Sequence, residues 1–280
     1  MAGDYVVQMG TAVNDLDERL ELALAAAREA GRHTLKYFQC DNYAVERKAD
    51  DSPVTVADRE AELLLRQRIT DRFPDDAILG EEFPDRPGTS AFRWILDPID
   101  GTQSFIAGVP LYSVLIGVEK QGEPAIGVIV VPALDEAVWA CTGGGAWYAR
   151  GNESPRRAHV SSTERLAESR FLASSVEMFR TTGRTGALAE LESATRLTRT
   201  WGDAYGYLLV ATGRADLMVD PIVNVWDAAA LLPVLVEAGG TLTDWTGRAT
   251  IHGGDAVATN GKLLAEVLSI TRKYPLESRL

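Results

Sequence analysis

A layered fold mixing helices and strands, α+β or α/β in class, is what this sequence predicts. Apolar runs of strand length recur along the chain. Between them lie segments whose apolar residues return every three or four positions, the spacing of an amphipathic helix. No internal repeat or low-complexity tract interrupts the alternation, and 280 residues suffice to bury a substantial core as one large domain or two medium ones.

The elements follow in order. Asp15–Phe38 reads as a helix because Leu16, Leu20, Ala23, Leu24, Ala27 and Leu35 form one apolar stripe. Asp50, Asp51, Ser52 and Pro53 break that pattern. A second helix is expected from about Val56 to Arg72, opened by the capping signature that runs from Thr55 to Asp58. Short strands are expected at Ala77–Leu79 and Phe92–Leu96. From Leu111 to Val131, strand-like runs flank the turn Gln121-Gly122-Glu123-Pro124, and another strand is expected over Glu136–Thr142 before the turn Gly143-Gly144-Gly145.

The polar patch from Arg150 to Arg157 contains Gly151, Asn152, Ser154 and Pro155. It marks the expected boundary between an N-terminal α+β part, 1–150, and a C-terminal α/β part, 151–280. In the latter, strands near Arg170–Ser174, Arg196–Thr200 and Leu217–Val219 alternate with helices near Thr185–Leu191 and Tyr205–Thr212. A long apolar helix begins around Asp227 and ends at Gly239-Gly240, a pair suited to a helix C-terminus.

Composition narrows the function. Hydrophobic residues make up 46% and charged residues 24%, an ordinary globular balance. The net charge of −12 disfavours nucleic acid or an anionic membrane as partner, because phosphate backbones are held by clustered Lys and Arg. The longest apolar stretches, such as Ala125–Val131, are strand-sized rather than membrane-sized. Cys40 and Cys141 lack metal-like spacing, and a reducing cytoplasm fits so few cysteines. The first eighteen residues contain no Lys, no Arg and no apolar h-region, so no signal peptide is expected.

The segment richest in chemistry is Trp94-Ile95-Leu96-Asp97-Pro98-Ile99-Asp100-Gly101-Thr102. Pro98 biases Asp97 toward an extended backbone, so its carboxylate belongs at a strand end. Asp100, three residues on across a tight turn, can converge on the same point. Gly101 allows close backbone approach, and a helix starting near Thr102 would offer free N–H groups to a phosphate. Hard oxygen ligands of this kind suit Mg²⁺ better than zinc.

Two more acid sites stand out: Gly80-Glu81-Glu82, after an expected strand, and Trp226-Asp227, opening the apolar helix. Each has a plainer reading. Asp227 suits a helix's first turn, Glu81 and Glu82 suit a solvated loop, Asp97-Pro98 suits a turn and Asp58 a cap.

Taken together, Gly-Glu-Glu at 80–82, Asp-Pro-Ile-Asp-Gly-Thr at 97–102 and Trp-Asp-Ala-Ala at 226–229 resemble the three signature motifs of the inositol monophosphatase superfamily. They occur in the family's order and at its approximate spacing, and the similarity runs from about Leu20 to about Val267. The resemblance implies a layered αβαβα sandwich of the inositol monophosphatase and fructose-1,6-bisphosphatase type. It also implies Mg²⁺-dependent hydrolysis of the phosphate monoester of a small metabolite, in a cleft between the two parts of a homodimeric protein. Glu81, Asp97 and the carbonyl of Ile99 would hold one Mg²⁺, and Asp97, Asp100 and Asp227 a second. A third ion near Glu81 is common in the family, and Mn²⁺ could substitute. Besides Glu81, the catalytic residues would be Thr102, orienting the attacking water, and Asp58, supporting Thr102. The N–H groups of Gly101 and Thr102 would bind the phosphate, and attack would be in line, without a phosphoenzyme.

Inositol phosphate, histidinol phosphate, fructose bisphosphate and phosphoadenosine phosphate are the substrates to weigh. Arg199-Thr200-Trp201-Gly202-Asp203-Ala204-Tyr205-Gly206-Tyr207, continuing through Asp216 and Asp220 to Asp227, resembles the histidinol-phosphatase branch, where an acid follows the glycine. Asp203 and Asp220 could receive the ammonium and imidazole of L-histidinol phosphate, with Asp227 beside them. Asp203 also suits the N-cap of the helix that follows. That branch implies a step of histidine biosynthesis.

Departures exist. Gln103 stands where relatives often carry Lys, Asp220 where Glu is frequent, and Lys48 matches the family's basic residue only across a one-residue gap. The alternatives are an inositol-1-monophosphatase, a promiscuous sugar-phosphate phosphatase, or an inactive metal-binding interaction module. The intact Asp58, Glu81, Asp97, Asp100 and Asp227 weigh against the last. Trp94 and Trp226 are expected to pack the core, and His33, His159 and His252 to stay outside the chemistry. No Gly-x-Ser-x-Gly elbow supports a serine hydrolase.

Overall fold

The computed structural model describes residues 15–40, 43–48 and 51–276. Asp50 in the expected helix break, and the first fourteen residues read for a leader, lie outside the described residues.

Two helices form the first layer. α1 (Asp15–Thr34) is followed by the antiparallel pair β1 (Val45–Arg47) and β2 (Pro53–Thr55), then by α2 (Val56–Arg72). α1 stops short of the expected Phe38: the chain passes into turns and Leu35 stays 39% exposed. Its buried stripe is built of Ala23, Ala26, Ala27 and Ala30, with the Arg19 side chain buried beside them. α2 has its expected bounds. It opens on a capping box in which Thr55 accepts from the helix backbone while Asp58 Oδ2 accepts the Thr55 N–H at 2.8 Å.

A seven-stranded sheet follows in chain order: β3 (Ala77–Gly80), β4 (Phe92–Asp100), β5 (Ser113–Lys120), β6 (Glu123–Val131), β7 (Glu136–Cys141), β8 (Gly145–Arg150) and β9 (Arg156–Arg157). Its β3–β4 pair is parallel and the others antiparallel. Between β4 and β5 lies the short helix α3 (Thr102–Ile106). β4 corrects an expectation, for it does not end at the acid before Pro98 but runs on to Asp100. The register against β5 shifts between Asp97 and Asp100, and such an irregularity tolerates a proline that has no N–H for the ladder.

The second sheet is mixed, with strand order β11-β10-β12-β14-β13. The chain runs β10 (Arg170–Leu172), α4 (Val176–Thr181), α5 (Thr185–Ala194), β11 (Leu197–Arg199), α6 (Ala204–Ala211), β12 (Leu217–Asp220), α7 (Val225–Glu237), β13 (Thr241–Thr243), β14 (Ala256–Thr259) and α8 (Leu264–Thr271). The parallel pairs are β10 with β11 and with β12.

Side-chain alternation stacks these pieces. In β4, Trp94 and Leu96 face α1 and α2 and share a cluster with Ala26 and Leu65. Ile95 faces the other way, into a cluster where α6 and α7 lie between Leu115 and Ile129 of the first sheet and Met218 and Ala258 of the second. Leu191 of α5 and Val267 of α8 cover the second sheet's outer face against Phe171 and Leu217. The layers are therefore αβαβα. Helix α7 is apolar nearly all round because both of its sides are covered.

Candidate metal centre

The irregularity in β4 makes the site. In a regular strand, residues three apart point to opposite faces, yet Asp97 and Asp100 turn their carboxylates to one place. Asp227 of α7 joins them, and one carboxylate oxygen from each of the three acids lies within 4.8 Å of the others. Asp97 is 2% and Asp100 8% exposed.

Local bonds fix each acid. Asp97 Oδ1 accepts the Ile99 N–H at 3.0 Å. Asp100 Oδ2 accepts the Ala204 N–H, at the start of α6, at 2.7 Å. Asp227 Oδ2 accepts the Asn224 N–H at 2.7 Å, closing the capping box of α7. The plain reading of Asp227 as an acid of a helix's first turn thus holds together with a place in the cluster, because only one of its oxygens is used by the cap.

The electrostatics call for a cation. Burial, then the charges of Glu81, Asp100 and Asp227, push Asp97 far above the usual carboxylate range, and Asp97 is hydrogen-bonded to Asp227. Burial first, then Asp203 and Asp227, do the same to Asp100. Burial, opposed by the Asn224 N–H, raises Asp227 to about 7. Buried acids whose ionisation is opposed by burial and by one another's charge are what a divalent ion would relieve. All side-chain donors here are carboxylate oxygens, a set that suits a hard ion such as Mg²⁺ and lacks the nitrogen or sulfur zinc favours.

Glu81 acts on this trio through its charge but is not among the acids whose oxygens gather within 4.8 Å of one another. Its Oε1 accepts from Lys48 Nζ at 2.6 Å, and the same ammonium meets Glu82 Oε1 at 2.6 Å. Burial lifts Glu82 to about 7. Thr102 Oγ1 lies 3.1 Å from the Ile99 carbonyl and 3.4 Å from Asp58 Oδ1, and Asp58 is itself raised by burial. Gly101 has a left-handed φ of +82°, and a Cβ there would come within 2.6 Å of Asp203 Oδ2.

Asp100 and Asp227 border an open cleft of about 330 Å³, whose other walls include Asp203, Asp220, Met178 and Ile222. Asp203 holds the N-cap position of α6 but makes no side-chain bond to the helix N–H groups. Asp220 is tied down: it accepts from Ser174 N–H and Oγ, both at 2.8 Å, and from the Tyr207 hydroxyl at 2.9 Å. Ser174, Tyr207 and the apolar wall of Met178 and Ile222 were not legible as site residues, because nothing local sets them apart in sequence. The pairing of Lys48 with Glu81 and Glu82 joins loops more than thirty residues apart and carries no local signal either.

The residues expected to be structural are so. Trp94 is fully buried and its Nε1 donates to Asp76 at 2.9 Å, while Trp226 packs against the cluster between the sheets. His33 bonds Glu60 at 2.7 Å, and His159 and His252 are exposed.

Comparison with known proteins gives four findings. Residues 15–276 match the model of the inositol monophosphatase family. A histidinol-phosphatase of Chlorobaculum parvum is 44% identical over 240 residues, 86% of this chain and 91% of that protein. One from Streptomyces coelicolor is 38% identical over 263 residues, 92% of this chain and 98% of that protein. Among solved structures, the extragenic suppressor protein suhB of Bartonella henselae superposes with a TM-score of 0.84 at 30% identity, covering 91% of this chain and 99% of that one.

Proposed function

Because the chain belongs to the inositol monophosphatase family, we propose that it is a metal-dependent phosphatase converting L-histidinol phosphate and water to L-histidinol and phosphate. The observation that carries the substrate is Asp203. Its carboxylate borders the same cleft as the metal-cluster acids and does not cap α6; Ser174 donates to it, and its remaining lone pairs would meet a cationic group. A substrate with an ammonium and an imidazole supplies one; a neutral polyol does not. Asp220 adds negative potential to that wall, although its hydrogen bonds are spent within the protein.

The ion read here is Mg²⁺, two or three per site, with Mn²⁺ able to replace it. Glu81, Asp97 and the Ile99 carbonyl would hold one ion, Asp97, Asp100 and Asp227 another, and a third would sit near Glu81. Bound there, Mg²⁺ supplies the positive charge that gathers a phosphoryl group and eases deprotonation of the attacking water. The chain's own residues do the rest. Thr102 directs its hydroxyl proton inward, to the Ile99 carbonyl or Asp58, which leaves its lone pairs to accept from a water and orient it. The N–H groups of Gly101 and Thr102 would receive phosphate oxygens, and Asp203 and Asp227 the far end of the substrate. The cleft then works between an N-terminal part, 1–150, and a C-terminal part, 151–280. A homodimer follows from the family resemblance, and a reducing, cytoplasmic setting agrees with the unpaired Cys40 and Cys141.

Phosphate release from L-histidinol phosphate and from inositol 1-phosphate, each with and without Mg²⁺, tests the reading. Mg²⁺-stimulated turnover with a clear preference for the histidinol ester is expected. Preference for the inositol ester would overturn the substrate, and no release from a panel of phosphorylated metabolites would overturn the enzyme.

A further inference from the structure

Helix α2 turns two acids toward the first sheet. Asp58 opens it, and Glu62, one turn later, is 0% exposed. A carboxylate with no access to water is costly unless donors meet both oxygens. They do. Glu62 Oε1 accepts from Arg66 Nε at 2.7 Å, and Oε2 accepts the Glu82 N–H at 2.7 Å. Arg66 Nη2 continues to the Phe83 carbonyl at 3.0 Å. The carboxylate also lies directly over Gly80, where an added Cβ would stand 2.0 Å from Glu62 Oε1, so any larger residue at 80 would expel it.

The pair therefore holds residues 80–83 at three points on both sides of Glu81. The Glu81 N–H adds a fourth restraint through the Leu96 carbonyl at 3.2 Å. Neither α2 nor the apolar core calls for a charge at position 62. Buried ion pairs seldom outdo apolar residues in stability, and geometric specificity is their better-attested use.

We propose that Glu62 and Arg66 are positioning residues, a buried clamp that fixes the backbone of Gly80-Glu81-Glu82-Phe83 and so aims Glu81 at the metal centre. The proposal rests on the reading of Glu81 as a metal-holding acid. Glu62→Gln keeps the volume but turns an amide donor toward either Arg66 or the Glu82 N–H, releasing one grip. Arg66→Met releases another from the opposite side of the carboxylate. Leu65→Ala, at a fully buried neighbour on the same helix, is the control for damage that is merely structural.

Mg²⁺ binding by calorimetry, with melting temperatures in EDTA, separates the cases. Glu62→Gln and Arg66→Met are expected to weaken Mg²⁺ binding about tenfold or more, the usual effect of removing a group that orients a metal ligand. Leu65→Ala should lower the melting temperature and leave the affinity alone. Wild-type affinity in both clamp variants, or equal weakening in Leu65→Ala, overturns the clamp while the metal centre stands. A wild-type protein that takes up no Mg²⁺ overturns both. If Glu62→Gln does not fold, Arg66→Met carries the test.

Discussion

Asp100 reaches across the molecule to Ala204: the carboxylate at the end of β4 accepts, at 2.7 Å, an N–H at the start of a helix that lies between the two sheets. That bond uses Oδ2 of a carboxylate that also gathers with those of Asp97 and Asp227. One acid thus belongs to the centre and to the joint between the sheets.

Asp97→Asn removes the charge the centre shares most widely. Mg²⁺-dependent turnover should fall by at least about 10²–10³-fold. In EDTA the same variant should melt at a higher temperature than the wild type, because it relieves repulsion among buried acids. A circular dichroism melt beside the turnover assay checks both, and near-normal turnover would end the proposed mechanism.

The metal-free protein should respond to pH in a definite direction. Asp227, raised to about 7, and Asp220, raised by burial to about 6, have folded pKa values above the unfolded carboxylate value of about 4. The folded state therefore binds more protons between those values, and the stability this confers is full below about pH 4 and lost as pH rises through 6 and 7. In EDTA the melting temperature should drop by more than about 3 °C between pH 5.5 and 8, roughly 1 kcal/mol. Saturating Mg²⁺ should flatten that slope.

Asp203→Asn tests the substrate. Losing one charge-assisted bond is worth about 1.5–3 kcal/mol, or roughly ten- to a hundredfold in KM for L-histidinol phosphate. Turnover at saturation and any activity on inositol 1-phosphate should change little, since no cationic group is involved there. Equal losses on both esters would assign Asp203 to the fold instead.

Arg19→Met tests the first layer. Arg19 pairs with Asp76 through Nε at 2.8 Å and Nη2 at 2.9 Å, and its guanidinium lies 3.6 Å from the Phe92 ring centre and 4.1 Å from that of Phe73. Removing one partner of a buried pair costs about 3–5 kcal/mol, here a melting point lower by roughly 10 °C. Turnover per folded molecule should stay at the wild-type level below that transition.

Sequence reasoning reached the elements whose signal is local. α2 carries its own cap in Thr55 and Asp58, and the acids at 97, 100 and 227 lie in motifs where proline, glycine or tryptophan flanks them. Where the signal is spread over distance it failed. Arg19 in a stripe of alanines reads as an interruption until Asp76 is brought beneath it. Glu62 with Arg66 at i+4 reads as a solvated helix pair, the ordinary meaning of that spacing, until the loop after β3 covers it. β8, β13, β14, α4 and α8 were not read from the sequence. The polar Arg150–Arg157 patch likewise hides β9, which adds the last strand to the first sheet.

Asp227 follows Asp97 by about 130 residues, and α7 can bring it there only once both sheets exist to enclose that helix. During synthesis, then, a nascent chain exposes most of the clustered acids long before it can gather them. Their mutual repulsion would then be deferred to the last stage of folding, when a divalent ion able to relieve it would also have a place to bind. Uptake of Mg²⁺ should accordingly mark the completion of the native state rather than its nucleation.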